Sequence, residues 1–130
     1  MKTHSIRLYI AGAYSSDNVI GILDNIREGL RASTKAFLAG FAPFCPWSDR
    51  DFQIMLRDGE TLTVQDYYDY SISWLKVSDG MLLVPGFEKS SGTKKEIEIA
   101  EQLGIPIFFF LDDAITYFNK QHVKVDTTYI

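Results

Sequence analysis

Cysteine and histidine are scarce in this sequence, whose 130 residues include one cysteine, Cys45, and two histidines. A single cysteine cannot form an internal disulfide, and the neighbours of Cys45 lack the paired Cys or His spacing of a zinc site. We therefore expect a protein without a metal or other cofactor, located in the reducing environment of the cytoplasm.

The sequence also has few positively charged residues and no long apolar run. The 13 Lys and Arg residues are outnumbered by 17 Asp and Glu residues, which gives a net charge of −4. Because affinity for nucleic acid comes largely from cationic side chains that neutralise phosphates, we do not expect nucleic acid as a partner. The apolar run at residues 6–13 is short and strand-like, so we expect neither a signal peptide nor a membrane span.

The composition is otherwise that of an ordinary folded domain. A hydrophobic fraction of 46% is sufficient for a buried core, and the length suits one domain that covers residues 1–130. The sequence contains no linker rich in Pro, Gly or Ser and no internal repeat, so nothing in it indicates a second domain.

Apolar segments of strand length alternate with segments of helical periodicity along the chain. This alternation predicts a three-layer α/β protein, in which helices cover both faces of a mostly parallel, flavodoxin-like or Rossmann-like sheet of four to five strands. Residues 47–62 are rich in Asp and Arg and are predicted to be irregular. The predicted strands are 6–11, 41–45, 80–84 and 105–111, and the predicted helices are 19–38, 63–77, 91–103 and 112–119.

Hydrophobic periodicity also predicts which side of each long helix is buried. We expect the first helix to be capped by one of the polar residues 15–17. Its predicted inner face consists of Val19, Ile22, Leu23, Ile26, Leu30 and Phe37. The predicted inner face of the helix at 63–77 consists of Val64, Tyr67, Tyr68, Ile72 and Leu75.

Ligands of parallel sheets bind beyond the carboxyl ends of the strands. This rule brings residues 12–16, 46–51 and 85–96 around one crevice. Trp47 and Phe87 have two interpretations there, since each either stacks on the ring of a ligand or packs in the core. The candidate substrate-binding residues are Gly12, Ala13, Tyr14, Trp47, Phe87, Ser90, Ser91 and Gly92.

The segment at residues 84–96 is the most informative part of the sequence. It runs from a strand through a polar loop into the start of a helix, where free backbone N–H groups and the helix dipole favour an anion. Ser90, Ser91 and Thr93 add hydroxyl donors, and the two lysines that follow oppose the dipole unless an anion lies nearby. The segment therefore predicts a ligand that carries a phosphate or a carboxylate.

Glu96 falls in the middle of the apolar arc of this helix when its residues are placed at 100° intervals. The arc includes Ile99, Ala100 and Leu103. A carboxylate on an inward face is costly if fully buried and suits a residue that faces a ligand crevice. The alternative is structural, because Thr93 and Glu96 match the Ser/Thr-x-x-Glu capping box that closes many helix starts.

Four stretches of the sequence carry a resemblance to a known family. They are residues 8–14, 79–87, 90–100 and 104–107, and the third contains the frame Gly-x-x-x-Glu-x-x-x-Ala. In these stretches the chain resembles the nucleoside 2-deoxyribosyltransferase-like superfamily, in particular its small, often phage-borne branch and the deoxynucleoside-monophosphate N-glycosidases. The resemblance covers residues 8–110.

The resemblance assigns roles to individual residues. It implies that Glu96 is the nucleophile and that Tyr9, on the first strand, helps to position it. Ser90 stands where members that act on monophosphates carry serine and members that act on free nucleosides carry an acid, which implies a 5′-monophosphate ligand. Ser71 occupies the position of the family's usual aspartate, so the catalytic position is present and its acid is missing.

The implied activity is cleavage of the N-glycosidic bond of a nucleoside 5′-monophosphate or nucleoside, or exchange of its base, through a covalent glycosyl-enzyme intermediate. The implied partner is a small-molecule nucleoside or nucleotide. The resemblance also implies a homodimer or larger homo-oligomer, with the aromatic face of the helix at 63–77 as a candidate contact.

Two alternatives to this activity stay open. One is a non-catalytic protein that binds or sequesters nucleotides, which the serine at position 71 favours. The other is a cytokinin-activating-type phosphoribohydrolase, because residues 92–96 also match the Gly-Thr-x-x-Glu sequence of those enzymes. That family has a Pro-Gly-Gly-x-Gly loop, whereas here residues 87–91 separate Pro-Gly from the next glycine.

Overall fold

Four parallel strands form the central sheet of the structure, a computed structural model that describes residues 3–121. The strands lie in the order β2-β1-β3-β4, and every neighbouring pair is parallel. The ends of the predicted domain, at residues 1 and 130, lie outside the described residues. The strands are β1 (Arg7–Ala11), β2 (Ala42–Phe44), β3 (Gly80–Leu83) and β4 (Ile107–Phe108).

Helices connect the strands and cover both faces of the sheet. Within the described part of the chain there are five α-helices and two short 3-10 helices. The α-helices are α1 (Val19–Leu38), α2 (Arg50–Ile54), α3 (Val64–Leu75), α4 (Ser91–Gln102) and α5 (Leu111–Lys120). The 3-10 helices are Pro46–Asp49 and Phe87–Lys89.

Side chains of each strand alternate between the two faces of the sheet, and each face has its own apolar core. On one face, Leu8 and Ile10 of β1 pack with residues of α1 and α5, among them Ile26 and Phe118. On the other face, Tyr9 packs with residues of α3 and α4. The predicted three-layer α/β fold, with a parallel sheet between two layers of helices, is confirmed.

The last strand is shorter than predicted. β4 consists of two residues, whereas the sequence predicts a strand at 105–111. Phe109 and Phe110 leave the sheet at its edge and are 59% and 68% exposed, and α5 begins at Leu111. Hydrophobicity alone therefore overestimates this strand, because part of its apolar run faces solvent.

One further local prediction is wrong in part and another is wrong. Residues 47–62 were predicted to be irregular, and residues 55–62 are, but residues 47–54 contain most of the 3-10 helix Pro46–Asp49 and all of α2. Pro46 favours this start because its ring fixes the backbone for the first helical turn. Helix α1 is capped by Asn18 and not by residues 15–17, since the Asn18 side chain accepts a hydrogen bond from the N–H of Gly21 at 2.8 Å. Asparagine is as strong a cap as serine or aspartate, so composition does not distinguish these candidates.

The inner face of α1 agrees only in part with the predicted one, because Ile22, Ile26 and Leu30 pack in the core as predicted and the other three residues do not. Val19, Leu23 and Phe37 are exposed, although periodicity assigns them to the core. The ring of Trp47 lies directly over Gly29, so the part of the helix that contacts this ring needs a residue without a side chain. The buried residues of α1 are Ile26, Gly29, Ser33 and Ala36.

Helix α3 follows the prediction more closely. Ile72 and Leu75 are buried together with Ser71, whereas Val64 is exposed because it lies at the rim of an open cavity. Tyr67 and Tyr68 are half-buried. Within residues 3–121, no helix is both long and apolar enough to cross a membrane.

Replacing Gly29 by alanine should destabilise the protein. A Cβ at this position would lie 2.2 Å from the nearest atom of the Trp47 ring, so either the helix or the indole must move. We expect a loss of about 1–3 kcal/mol in the free energy of unfolding from overpacking, set against a gain of up to about 1 kcal/mol in helix propensity. Urea denaturation measures the difference.

Gly92→Ala is the matched control for this substitution. A Cβ on Gly92 would meet its nearest neighbour at 3.8 Å, so this variant should keep or slightly raise the stability. A Gly29→Ala protein as stable as the wild type would show that Trp47 does not fix the approach of α1.

Candidate active site

A cavity of about 760 Å³ opens at the carboxyl ends of the strands. Its walls come from four parts of the chain, namely the loop after β1, the segment after β2, helix α3, and the start of α4 with the loop before it. The crevice predicted from the topology of parallel sheets is therefore present. Its volume is in the range of small-molecule sites.

Glu96 projects from α4 towards this cavity and meets Tyr9 of β1. The Tyr9 hydroxyl donates a hydrogen bond to Oε2 of Glu96. Tyr9 is fully buried and Glu96 is half-buried, so the carboxylate lies at the boundary between the apolar core and the open cavity. The helical-wheel prediction of an inward-facing carboxylate agrees with this position.

The start of α4 excludes the capping-box alternative. Ser90 is the N-cap residue, and its Oγ accepts a hydrogen bond from the backbone N–H of Thr93 at 3.1 Å. The hydroxyl of Thr93 donates instead to the carbonyl of Gly12 at 2.9 Å, which ties the helix start to the loop after β1. Neither residue of the proposed Thr93–Glu96 box therefore has a capping role.

The surroundings of Glu96 and Tyr9 raise the pKa of both side chains. Burial raises the pKa of Glu96 to about 7, and the hydrogen bond from Tyr9 partly opposes this effect. Burial and the charge of Glu96 raise the pKa of Tyr9 far above its ordinary value of 10, and Ser71 partly opposes that shift. The phenol consequently keeps its proton and is a permanent donor, whereas the carboxyl group titrates near neutral pH.

Ser71 occupies the helical position that the resemblance assigns to an aspartate. It is buried on α3, lines the cavity, and its hydroxyl interacts with that of Tyr9. Three hydroxyl or carboxyl groups, from Tyr9, Ser71 and Glu96, therefore meet at one end of the cavity. The predicted catalytic residues are brought together by β1, α3 and α4.

Most of the predicted substrate-binding residues line the cavity. Ala13 does not, and its carbonyl accepts a hydrogen bond from the indole N–H of Trp47 at 3.0 Å. Phe87 also lies outside the lining and packs in the core near Phe109, as its packing interpretation requires. Those that line the cavity are Gly12, Tyr14, Trp47, Ser90, Ser91 and Gly92.

Trp47 is part of the wall and also part of the core. Only 3% of its surface is exposed, its ring covers Gly29, and it lies close to Gly12. These contacts fix the segment after β2 against the loop after β1. Packing therefore accounts for most of the surface of this side chain.

Several cavity residues were not predicted from the sequence. Asp49 and Arg50 come from the segment predicted to be irregular, and Tyr67 and Tyr68 were assigned to the core or to a subunit contact. Asp49 lies in the stretch 46–51, which the rule for parallel sheets had already assigned to the crevice. This assignment was the only indication in the sequence that Asp49 lines the cavity. Four further lining residues fall in the stretches 12–16, 46–51 and 85–96 that were predicted to surround the crevice, namely Ser15, Pro46, Lys89 and Thr93. Four fall outside these stretches, namely Ala11, Gln53, Ile54 and Val64.

The strand order and the position of the cavity define an α/β protein with a flavodoxin-like parallel sheet. Among solved structures, the chain is similar to the 2-deoxyribosyltransferase from the psychrotolerant bacterium Bacillus psychrosaccharolyticus, with a TM-score of 0.62 and 13% identity. The similarity covers 92% of this chain and 97% of that chain. The resemblance inferred from the sequence is thereby confirmed at the level of the fold.

The chain belongs to the family described as Domain of unknown function (DUF4406), whose model matches residues 6–109. That range includes the whole sheet and all the residues that line the cavity. A comparison with curated proteins gives no significant match.

Glu96→Gln should change how the stability of the protein depends on pH. The folded protein holds the Glu96 proton up to a pKa of about 7, whereas the unfolded chain loses it near 4.5. Stability from this group is therefore present below pH 4.5 and is lost as the pH rises towards 7 and beyond. Because Glu96 is partly exposed, we expect the stability of Glu96→Gln relative to the wild type to rise by on the order of 1 kcal/mol between pH 4 and pH 8.

Urea denaturation of both proteins at the two pH values measures this difference. Glu98→Gln is the matched control, because Glu98 is on the same helix and faces solvent. Its stability relative to the wild type should stay nearly constant with pH. A constant difference for Glu96→Gln as well would show that the carboxyl group is not shielded from water.

Proposed function

We propose that this protein cleaves the N-glycosidic bond of a nucleoside 5′-monophosphate, or exchanges its base, with Glu96 as the nucleophile. The observation that carries the proposal is the half-buried Glu96 carboxyl group, which receives a hydrogen bond from Tyr9 and borders a cavity of nucleotide size. An inward carboxylate without a structural partner on its own helix suits a reaction with a bound sugar.

In the proposed reaction, one oxygen of the ionised Glu96 attacks C1′ of the sugar while the bond to the base breaks. The transition state resembles an oxocarbenium ion, and the product is a covalent glycosyl-enzyme with a free base. Tyr9 donates to Oε2 and so leaves the other oxygen available for the attack. Water then completes hydrolysis, or a second base completes transfer.

The start of α4 supports a phosphate on the ligand. Ser90, Ser91 and Gly92 line the cavity at the N-terminus of this twelve-residue helix, where backbone N–H groups and the helix dipole favour an anion. Two cationic side chains, Arg50 and Lys89, line the same cavity. Together they provide the positive potential that a 5′-phosphate requires.

The similarity to a protein named as a 2-deoxyribosyltransferase supports glycosyl transfer as the reaction class. The exposed aromatic residues of α3 support a homo-oligomer, which the sequence resemblance implies. Tyr70 and Trp74 are 37% and 45% exposed on this helix, next to the exposed Phe52 of α2. We propose that a second copy of the chain covers this surface.

Release of free base from nucleoside monophosphates tests the proposal. The wild type should release base from at least one member of a panel that covers the common bases with ribose and deoxyribose. Glu96→Ala should lower kcat by on the order of 10³-fold or more, because the nucleophile is removed. Chromatographic detection of the free base, with a second base added in parallel reactions, distinguishes hydrolysis from transfer.

The exposed Glu98→Ala on the same helix is the control and should retain activity. Base release that survives Glu96→Ala would contradict the role of Glu96. Tight nucleotide binding by the wild type without any release would favour the non-catalytic, sequestering alternative.

Ser90→Asp should shift the preference from monophosphates to free nucleosides. Aspartate is as good an N-cap as serine, so α4 should keep its start, while the new carboxylate repels a nearby phosphate. We expect kcat/KM to fall by about tenfold or more for a monophosphate, and to change little for the matching nucleoside, which is the internal control. An equal fall for both substrates would show that Ser90 does not lie near the phosphate.

A further inference from the structure

The proposed reaction needs a group that handles protons as well as a nucleophile. A leaving base departs more easily when one of its ring nitrogens is protonated, and the water of the second step must lose a proton. The hydroxyl of Ser71, at the family's usual acidic position, is far too weak an acid for the first of these tasks. Among the described residues, only two carboxyl groups line the cavity, those of Glu96 and Asp49.

Asp49 is held in place by the segment that carries it. It is the last residue of the 3-10 helix that follows β2, two positions after the buried Trp47. The Trp47 indole donates a hydrogen bond to the carbonyl of Ala13 and packs on Gly29, which anchors this segment on two neighbouring elements. Asp49 therefore belongs to a fixed wall of the cavity.

The Asp49 carboxyl group has no evident structural task. It is half-buried and precedes α2, but its side chain makes no capping hydrogen bond there. Within residues 3–121 it forms no ion pair and receives no hydrogen bond from a side chain or from the backbone. Its charge contributes to raising the pKa of Tyr67 and, to a smaller extent, that of Tyr9, and Asp49, Tyr67 and Glu96 line the same cavity.

Burial raises the pKa of the Asp49 carboxyl group above its ordinary value. This shift favours the protonated form, which a proton donor needs. The direction agrees with the geometric argument, because a partly desolvated carboxyl group without internal partners is free to exchange its proton with a ligand.

We propose that Asp49 is the acid–base residue of this site and supplies the function that Ser71 cannot. The inference rests on the proposed function of Glu96. In the first step, the Asp49 acid gives its proton to a ring nitrogen of the base. The electron pair of the N-glycosidic bond passes to the base, and a Glu96 oxygen bonds to C1′. In the second step, the Asp49 carboxylate takes a proton from water, whose oxygen bonds to C1′ as the bond to Glu96 breaks.

Two leaving groups of different basicity test this role. One substrate is a nucleoside monophosphate that the wild type cleaves, and the other is the 4-nitrophenyl glycoside of the same sugar 5-phosphate, whose leaving group departs without protonation. Asp49→Asn should lower base release from the nucleotide by about 10²- to 10⁴-fold. The initial burst of nitrophenolate, which reports the first step alone, should change by only a few fold.

The second step of the reaction provides an independent test of the role of Asp49. Without a base to activate water, the glycosyl-enzyme of Asp49→Asn should accumulate after the nitrophenolate burst. Azide attacks C1′ without losing a proton, so adding it should restore turnover and yield a glycosyl azide. The wild type, which activates water itself, should gain little from azide.

Asp51→Asn is the matched control, because Asp51 lies in the same short segment, is exposed and does not line the cavity. It should behave as the wild type with both substrates. Melting curves confirm that each variant is folded, and Asp49→Glu, which keeps the acid, should recover part of the nucleotide activity even if Asp49→Asn folds poorly.

The two proposals fail in different ways. If the wild type releases neither base nor nitrophenolate, the proposed function is overturned and the role of Asp49 with it. If the wild type is active but Asp49→Asn loses both substrates equally, is not rescued by azide and is folded, the role of Asp49 is overturned and that of Glu96 stands.

Discussion

The hydrogen bond from Tyr9 to Glu96 is the interaction on which the rest of the site depends. A carboxyl group at the edge of an apolar core tends to keep its proton, and a buried phenol next to it offsets part of that tendency. The donor comes from the central strand and the acceptor from α4, so the pair also links the sheet to the helix. The result is a carboxyl group whose charge changes near neutral pH and whose orientation is fixed by a hydrogen bond from the sheet.

The sequence was sufficient to predict the fold class and the inward position of Glu96, because both follow from local periodicity. The pairing of Glu96 with Tyr9 depends on residues 87 positions apart, and only the family resemblance indicated it. Hydrophobicity predicted only part of the buried face of α1, since Gly29, Ser33 and Ala36 are buried there as well and Gly29 lies under the ring of Trp47. Asp49 was missed as an individual residue because its 3-10 helix has no periodic signal.

The two faces of the sheet have different parts in forming the cavity. The face covered by α3 and α4 carries the polar groups of Tyr9, Ser71 and Glu96, near the carboxyl ends of the strands. The face covered by α1 and α5 is apolar and anchors Trp47, which holds the segment after β2 in position. One layer of helices thus holds the polar side chains of the cavity and the other supports its wall, and β1 packs against both layers.

The two tryptophans of the chain lie in contrasting environments. Trp47 is enclosed in the cavity wall, whereas Trp74 is 45% exposed and stacks on Phe44 at the outer surface. Their fluorescence therefore separates into a shielded component and one that soluble quenchers reach. In a Trp74→Phe variant, all the tryptophan fluorescence comes from Trp47, which lies beside the cavity. The emission of this variant therefore reports whether a ligand occupies the cavity, without an added label.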